Sequence, residues 1–150
     1  MRIIVDANIA FSGILNTNGR IGDILINSKR FFNFIAPEFL RFEIKKHYPR
    51  LSSISGLSLA QIQEAEFQIY QNITFVSEEQ IKRSIWTVAE RLVVDVDIND
   101  IQYIAFSKQF RCKIWSGDKA LIRGLLKKDF TSFVSTEELF DLRQEMLKGH

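Results

Sequence analysis

The chain carries one cysteine, two histidines, two prolines and no long hydrophobic run in its 150 residues, and these shortages remove whole classes of protein. A lone Cys112 closes no internal disulfide, and in its apolar stretch it reads as an ordinary buried thiol in a reducing compartment. His47 and His150 form no metal-ligand spacing, so a zinc site is disfavoured and His47 reads as a helix-surface or partly buried side chain. No apolar run reaches the roughly 18 residues of a membrane span, and Met1-Arg2 leads straight into a short strand without the apolar region of a signal peptide. The reading is a cytoplasmic protein without a membrane partner. A net charge of +2 is too small to argue for or against a nucleic-acid partner.

What is present suits one globular domain over residues 1–150: 46% hydrophobic content and 13 Phe, with apolar residues spread from end to end. The closing Gly149-His150 resembles a tag remnant. There is no internal repeat and no low-complexity segment. Short β-branched runs at Arg2 to Val5, Phe32 to Ala36, Ile73 to Val76, Cys112 to Trp115 and Ser132 to Val134 read as strands. Helical patterns separate them: Asn8 to Leu15, Arg20 to Lys29, Pro37 to about Tyr48 with Pro49 as its stop, Leu59 to Gln71, Ser77 to Leu92, Asn99 to Phe110, Lys119 to Lys127 and Thr136 to Leu147. Ser52 to Ser58 reads as a loop. The Ile81, Ile85, Val88, Leu92 stripe marks the core side of its helix. This alternation predicts an α/β fold, a three-layer α/β/α sandwich around a central, mainly parallel sheet.

Four carboxylates then stand out. Asp6 and Asp118 follow predicted strands, and in open parallel sheets ligands bind beyond the carboxyl ends of the strands. Glu43 falls on the apolar stripe of Leu40, Ile44, His47 and Leu51, where an unpaired charge is costly. Asp100 precedes Ile101, Ile104 and Ala105 on a helix whose other side carries Gln102, Ser107 and Gln109. Each acid also has a plainer role: Asp6 and Asp118 as helix N-caps, Asp100 as an acid meeting the helix dipole, Asp97 as a cap or an outer member of the group. Clustered carboxylates repel unless a cation holds them charged, and an all-oxygen donor set favours Mg²⁺ or Mn²⁺ over Zn²⁺.

Four segments carry a resemblance: Ile-Ile-Val-Asp6-Ala-Asn8-Ile, Ala36-Pro37-Glu38-Phe-Leu-Arg-Phe-Glu43-Ile, Asp97-Ile-Asn-Asp100-Ile-Gln-Tyr-Ile-Ala105 and Ile-Trp-Ser116-Gly-Asp118-Lys119. In this order, across almost the whole chain, they resemble the PIN-domain family. Phe106-Ser107 departs from the family's more common Leu-Ala without touching an acid. The resemblance implies metal-dependent RNA cleavage, with Asp6, Glu43, Asp100 and Asp118 as the catalytic, metal-binding quartet. Asn8 and Ser116 match the polar residues that accompany the first and last acids. Asp6 would be the central ligand, Ser116 would bond Asp6 or a phosphate oxygen, Asn8 would help fix the carboxylates, and Glu43 would bind a second metal or orient the attacking water.

Substrate contact is assigned to Lys119 and Arg123, just beyond Asp118, while Arg41, Lys45, Lys46 and Arg50 share the helix that carries Glu43. The family resemblance further implies an RNA partner, an antitoxin protein if the chain is the toxin of a toxin–antitoxin pair, and a homodimer. Leu59 to Gln71 and Ile81 to Leu92 are amphipathic enough for core or interface, and core is the preferred reading for the second.

Two other enzyme classes fit less well. A phosphatase with an aspartyl nucleophile wants a second Asp two residues after the first, where this chain has Asn8. A receiver domain wants an acidic pair near the first strand, and neither class accounts for Glu43. The alternative outside enzymology is an inactive PIN-like scaffold that binds RNA or protein.

Overall fold

The computed structural model describes residues 1–149; His150, half of the tag-like ending, lies outside the described residues. Five strands form an all-parallel sheet in the order β3-β2-β1-β4-β5: β1 Arg2–Val5, β2 Asn33–Pro37, β3 Ile73–Val76, β4 Lys113–Trp115 and β5 Phe133–Val134. Because successive side chains of a strand point to opposite faces, each strand feeds two cores. Ile3, Val5, Phe34 and Trp115 enter one, packed by α1 Ala7–Leu15, α2 Arg20–Asn27, α3 Phe39–Lys46, α4 Tyr48–Ser55, α5 Leu59–Tyr70 and α9 Thr136–Lys148. Ile4, Ile35 and Ile114 enter the other, under α6 Arg83–Val93, α7 Ile101–Phe110 and α8 Lys119–Leu126. The result is the expected three-layer α/β/α sandwich. None of the described helices is long and apolar enough to cross a membrane.

The face each helix covers follows from the winding. From β1 to β2 to β3 the chain steps one way with α1 to α5 on one face; it then returns past β1 to β4 and β5, and α6 to α8 cover the other. Parallel crossovers of one hand force that change of face when the direction of stepping changes. The change falls between β1 and β4, whose last paired residues are Val5 and Trp115.

Several local expectations need correction. Pro37 ends β2, and Pro49 starts a helix where a stop was predicted: it occupies the first turn of α4, where proline has no intrahelical N–H bond to lose. His47 lies between α3 and α4, so Ser52 to Ser55 are helical, and Gly56 closes α4 at φ 70°. Ser77 does cap, accepting the Glu79 N–H at 3.2 Å, but it caps a single 3₁₀ turn at Glu78–Gln80, and α6 starts only at Arg83. That break separates Ile81 from the helical phase of α6, so Ala89 and Val93 are its buried residues and Val88 is exposed. Ser107 is buried too, donating its hydroxyl to the Cys112 carbonyl at 2.7 Å, because α7 is covered on nearly all sides.

The last helix is tied down by a buried cation. Arg143 on α9 donates to Asp23 of α2 at 2.6 Å and to the fully buried Ser28 hydroxyl at 3.0 Å, which holds the Asp23 carboxyl below its ordinary range. Replacing Arg143 with Met keeps the stem but orphans Ser28 and unpairs Asp23. The expected loss is roughly 1–3 kcal/mol, since Asp23 retains some solvent, read as a lower midpoint in thermal or urea unfolding.

Candidate active site

The four acids arrive by four different routes at the edge where the winding changes direction. Asp6 is the residue after β1. Its extended backbone (φ −85°, ψ 168°) makes it the N-cap of α1, and its Oδ1 accepts the Ile9 N–H at 2.9 Å. Asp118 is the third residue after β4 and caps α8 in the same way, accepting the Leu121 N–H at 3.0 Å. Between them stands Ser116, buried, whose Oγ accepts the Asp118 N–H at 3.1 Å and whose nearby hydroxyl favours the charged form of the Asp6 carboxyl. Capping and clustering are thus compatible: a cap uses one carboxylate oxygen and leaves the other.

Glu43 and Asp100 come from the two helical layers. Glu43 projects from α3, half-buried, and accepts the Tyr103 hydroxyl of α7 at 2.6 Å. That bond crosses from one helical layer to the other over the carboxyl ends of the strands. Asp100 is the residue before α7, at the end of a 3₁₀ turn over Ile98–Asp100, and it makes no side-chain cap bond. Asp97 opens that turn, exposed, accepting the Asn99 N–H at 3.0 Å.

Electrostatics show that these groups share one region. Burial raises the Asp6 carboxyl from 3.8 to about 6, with further upward pressure from Asp118 and Glu43, while Ser116 and the Ile9 N–H oppose the rise. Asp100 rises to about 7, from burial first and then from the charges of Asp97, Asp118, Asp6 and Glu43. Burial also raises Glu43, against the Tyr103 bond and the nearby His47 and Lys46 side chains. None of the four acids has a salt bridge among the described residues, where the bridges run Arg41–Glu38, Lys128–Asp95 and Arg143–Asp23.

Four acids brought together without a basic partner suit a hard divalent cation, whose charge would offset their repulsion and whose preferred ligands are oxygens. Among the described residues no three His, Cys, Asp or Glu side chains already stand close enough to hold one ion together. Several are tethered separately: Asp6 and Asp118 by helix amides, Glu43 by Tyr103.

The supporting residues divide. Asn8 is exposed on the first turn of α1 and lines a neighbouring cleft with Glu43. Lys119 and Arg123 lie exposed on α8, the Arg123 Nε donating to the Lys119 carbonyl at 3.3 Å. Tyr103 was missed by the sequence reading, although its place three residues after Asp100 puts both on one helix face, and a buried tyrosine hydroxyl needs a polar partner. Burial and the adjoining Glu43 charge hold its own ionisation well above the ordinary tyrosine range.

An all-parallel α/β/α sandwich with an acidic group at the reversal point of its sheet defines a class of proteins that bind their ligands at that edge. Within that class, a family profile described as PIN domain matches residues 4–139. The chain belongs to the PIN-domain family, whose members are generally nucleases that use divalent metals. Among curated proteins, none matches the chain significantly.

The raised carboxyls make a prediction for the metal-free protein. A carboxyl whose folded pKa lies above its unfolded value favours folding fully below the unfolded pKa and loses that contribution as pH rises through the folded one. The loss therefore develops from near pH 4 to about pH 6 for Asp6 and to about pH 7 for Asp100. In EDTA at pH 8, Asp6→Asn, which keeps a capping side chain, is expected to stabilise the fold by on the order of 2 kcal/mol. Asp100→Asn should act in the same direction, its larger rise discounted because the side chain keeps some solvent, and both gains should vanish by pH 4 in thermal melts.

Proposed function

We propose that this chain is a metal-dependent endoribonuclease that hydrolyses RNA phosphodiester bonds. The observation carrying the proposal is the grouping of Asp6, Glu43, Asp100 and Asp118 at the carboxyl edge of the sheet with no salt bridge to any of them among the described residues. Such a group is costly in the protein alone and favourable around a divalent cation. These four residues would hold Mg²⁺ or Mn²⁺, with Asp6, the most buried, at the centre. A bound ion of this kind supplies water of lowered pKa and charge to offset that of the phosphate.

The protein's part is placement. Ser116 stands ready to orient the Asp6 carboxylate, and its bond from the Asp118 amide fixes the turn between β4 and α8. Tyr103 fixes the rotamer of Glu43 so that its other oxygen can orient the attacking water. Lys119 and Arg123, exposed on the first turns of α8, offer positive charge to the RNA backbone beside Asp118. The reading extends to a single-domain cytoplasmic toxin held by an antitoxin protein, with a homodimer as its assembly. Exposed Phe42 on α3 and Phe67 on α5 supply apolar surface for such partners.

The test is cleavage of a mixed RNA pool with Mn²⁺ or Mg²⁺ against an EDTA control, for the parent protein and for Asp6→Asn and Asp118→Asn. Cutting should require the ion and fall by roughly 100-fold or more in each variant, the lower end of what a lost catalytic group costs. Ion-dependent cutting that survives both substitutions refutes the site. No cutting of any RNA by a folded parent favours the scaffold reading.

A further inference from the structure

Glu43 faces a second feature that the acidic group does not use. A cleft of ≈ 340 Å³ runs between α1 and the α3–α4 segment, with Asn8, Phe11 and Ser12 on one wall and Glu43, His47 and Arg50 on the other. That volume lies within the roughly 300–1,000 Å³ of small-ligand pockets. Phe11 is half-buried at its centre, with the His47 ring set edge-on at 6.2 Å and the Arg50 guanidinium 5.3 Å from its ring centroid. Neither His47 nor Arg50 has a salt-bridge partner among the described residues. A cavity of ≈ 370 Å³ bordered by Lys29, Arg30 and Phe31 has similar chemistry, but it lies at the other end of the strands, beside Met1 and Asn33.

Resting on the nuclease reading, we infer that the α1/α3–α4 cleft is the subsite for a nucleotide adjoining the scissile phosphate of single-stranded RNA, with Arg50 and His47 holding its phosphate and Phe11 its base. The pieces match the ligand. An aromatic face beside unpaired basic groups is how single strands are bound without base pairing, through stacking and charge together. Glu43 belongs to both the cleft and the acidic group, so a strand threading the cleft reaches the acids at its next phosphate. The exposed Asn8 amide, at the mouth, offers a donor and an acceptor to a base edge. Duplex RNA would present no free base face to Phe11.

The experiment uses the full chain and a fluorescein-labelled ten-nucleotide single-stranded RNA. Anisotropy is read in EDTA, where cutting is off, alongside cleavage kinetics in Mn²⁺. Arg50→Gln should weaken binding about five- to tenfold and lower the salt dependence by about one phosphate contact, and His47→Gln should weaken it by a smaller factor through the lost contact, with the kinetic effect larger on KM than on kcat. Phe11→Leu should weaken binding about tenfold and abolish the preference for intact RNA over the same strand with one abasic residue. Lys29→Gln removes the same charge at the opposite edge and should bind as the parent does. Parental affinity in both Arg50→Gln and His47→Gln, or an equal loss in Lys29→Gln, overturns the subsite. A parent that shows this binding pattern yet cuts no RNA in Mn²⁺ refutes the nuclease reading and leaves the subsite standing.

Discussion

Everything at the carboxyl edge of this sheet depends on the reversal of winding between β1 and β4. Adjacent parallel strands normally carry their connections over the same face, and the helices then close over the strand ends. Where the direction changes, the connections leaving β1 and β4 diverge to opposite faces and leave a crevice. Asp6 and Asp118 each stand at the start of one of those diverging helices. The backbone amides that start α1 and α8 therefore point toward a region that the core does not fill. Carboxylates placed there gain a hydrogen bond and the positive end of a helix, which partly offsets the burial of their charge.

The same crevice is roofed from both sides. α3 contributes Glu43 and α7 contributes Tyr103 and Asp100, and the Glu43–Tyr103 bond joins the layers that the sheet otherwise keeps apart. Stability and electrostatics pull in opposite directions here. Each cap and bridge strengthens the fold, but burial, and after it the charges they gather, raises the acids' proton affinity, most at Asp6 and Asp100. A protein that needed only the caps would be served as well by asparagine or serine. Retaining four ionisable groups with no salt bridge among the described residues is the feature that capping does not explain, in a chain whose family generally uses divalent metals.

Much of this was legible from one sequence because it rests on local rules. A β-branched run followed by Asp and a helical pattern reads as strand, cap and helix whether it occurs at Val5-Asp6 or after Trp115. Glu43 and Asp100 stood out because charge on an apolar stripe is costly. What failed was also local, but depended on long-range packing. Pro49 and Ser77 are honest start signals whose meaning turns on where the next element begins, and a 3₁₀ turn at Glu78–Gln80 is too short to leave a periodic pattern. Val88 fits a helical stripe by count, yet the break after Ile81 rotates it out to solvent.

By itself, then, the sequence determined the alternation of strands and helices, and with it a parallel sheet covered on both faces, because periodicity and β-branched runs are properties of neighbouring residues. It also marked the four acids one at a time. Only the tertiary structure decided their company: that Ser116 stands near Asp6 while bonding the Asp118 amide, that Tyr103 holds Glu43 from another layer, that Asn8 shares a cleft with Phe11, Glu43 and Arg50. Glu43 and Tyr103 are 60 positions apart in the chain, and no local rule measures such a distance. Their meeting is set by strand order and by the hand of the crossovers, which place each helix over one face of the sheet.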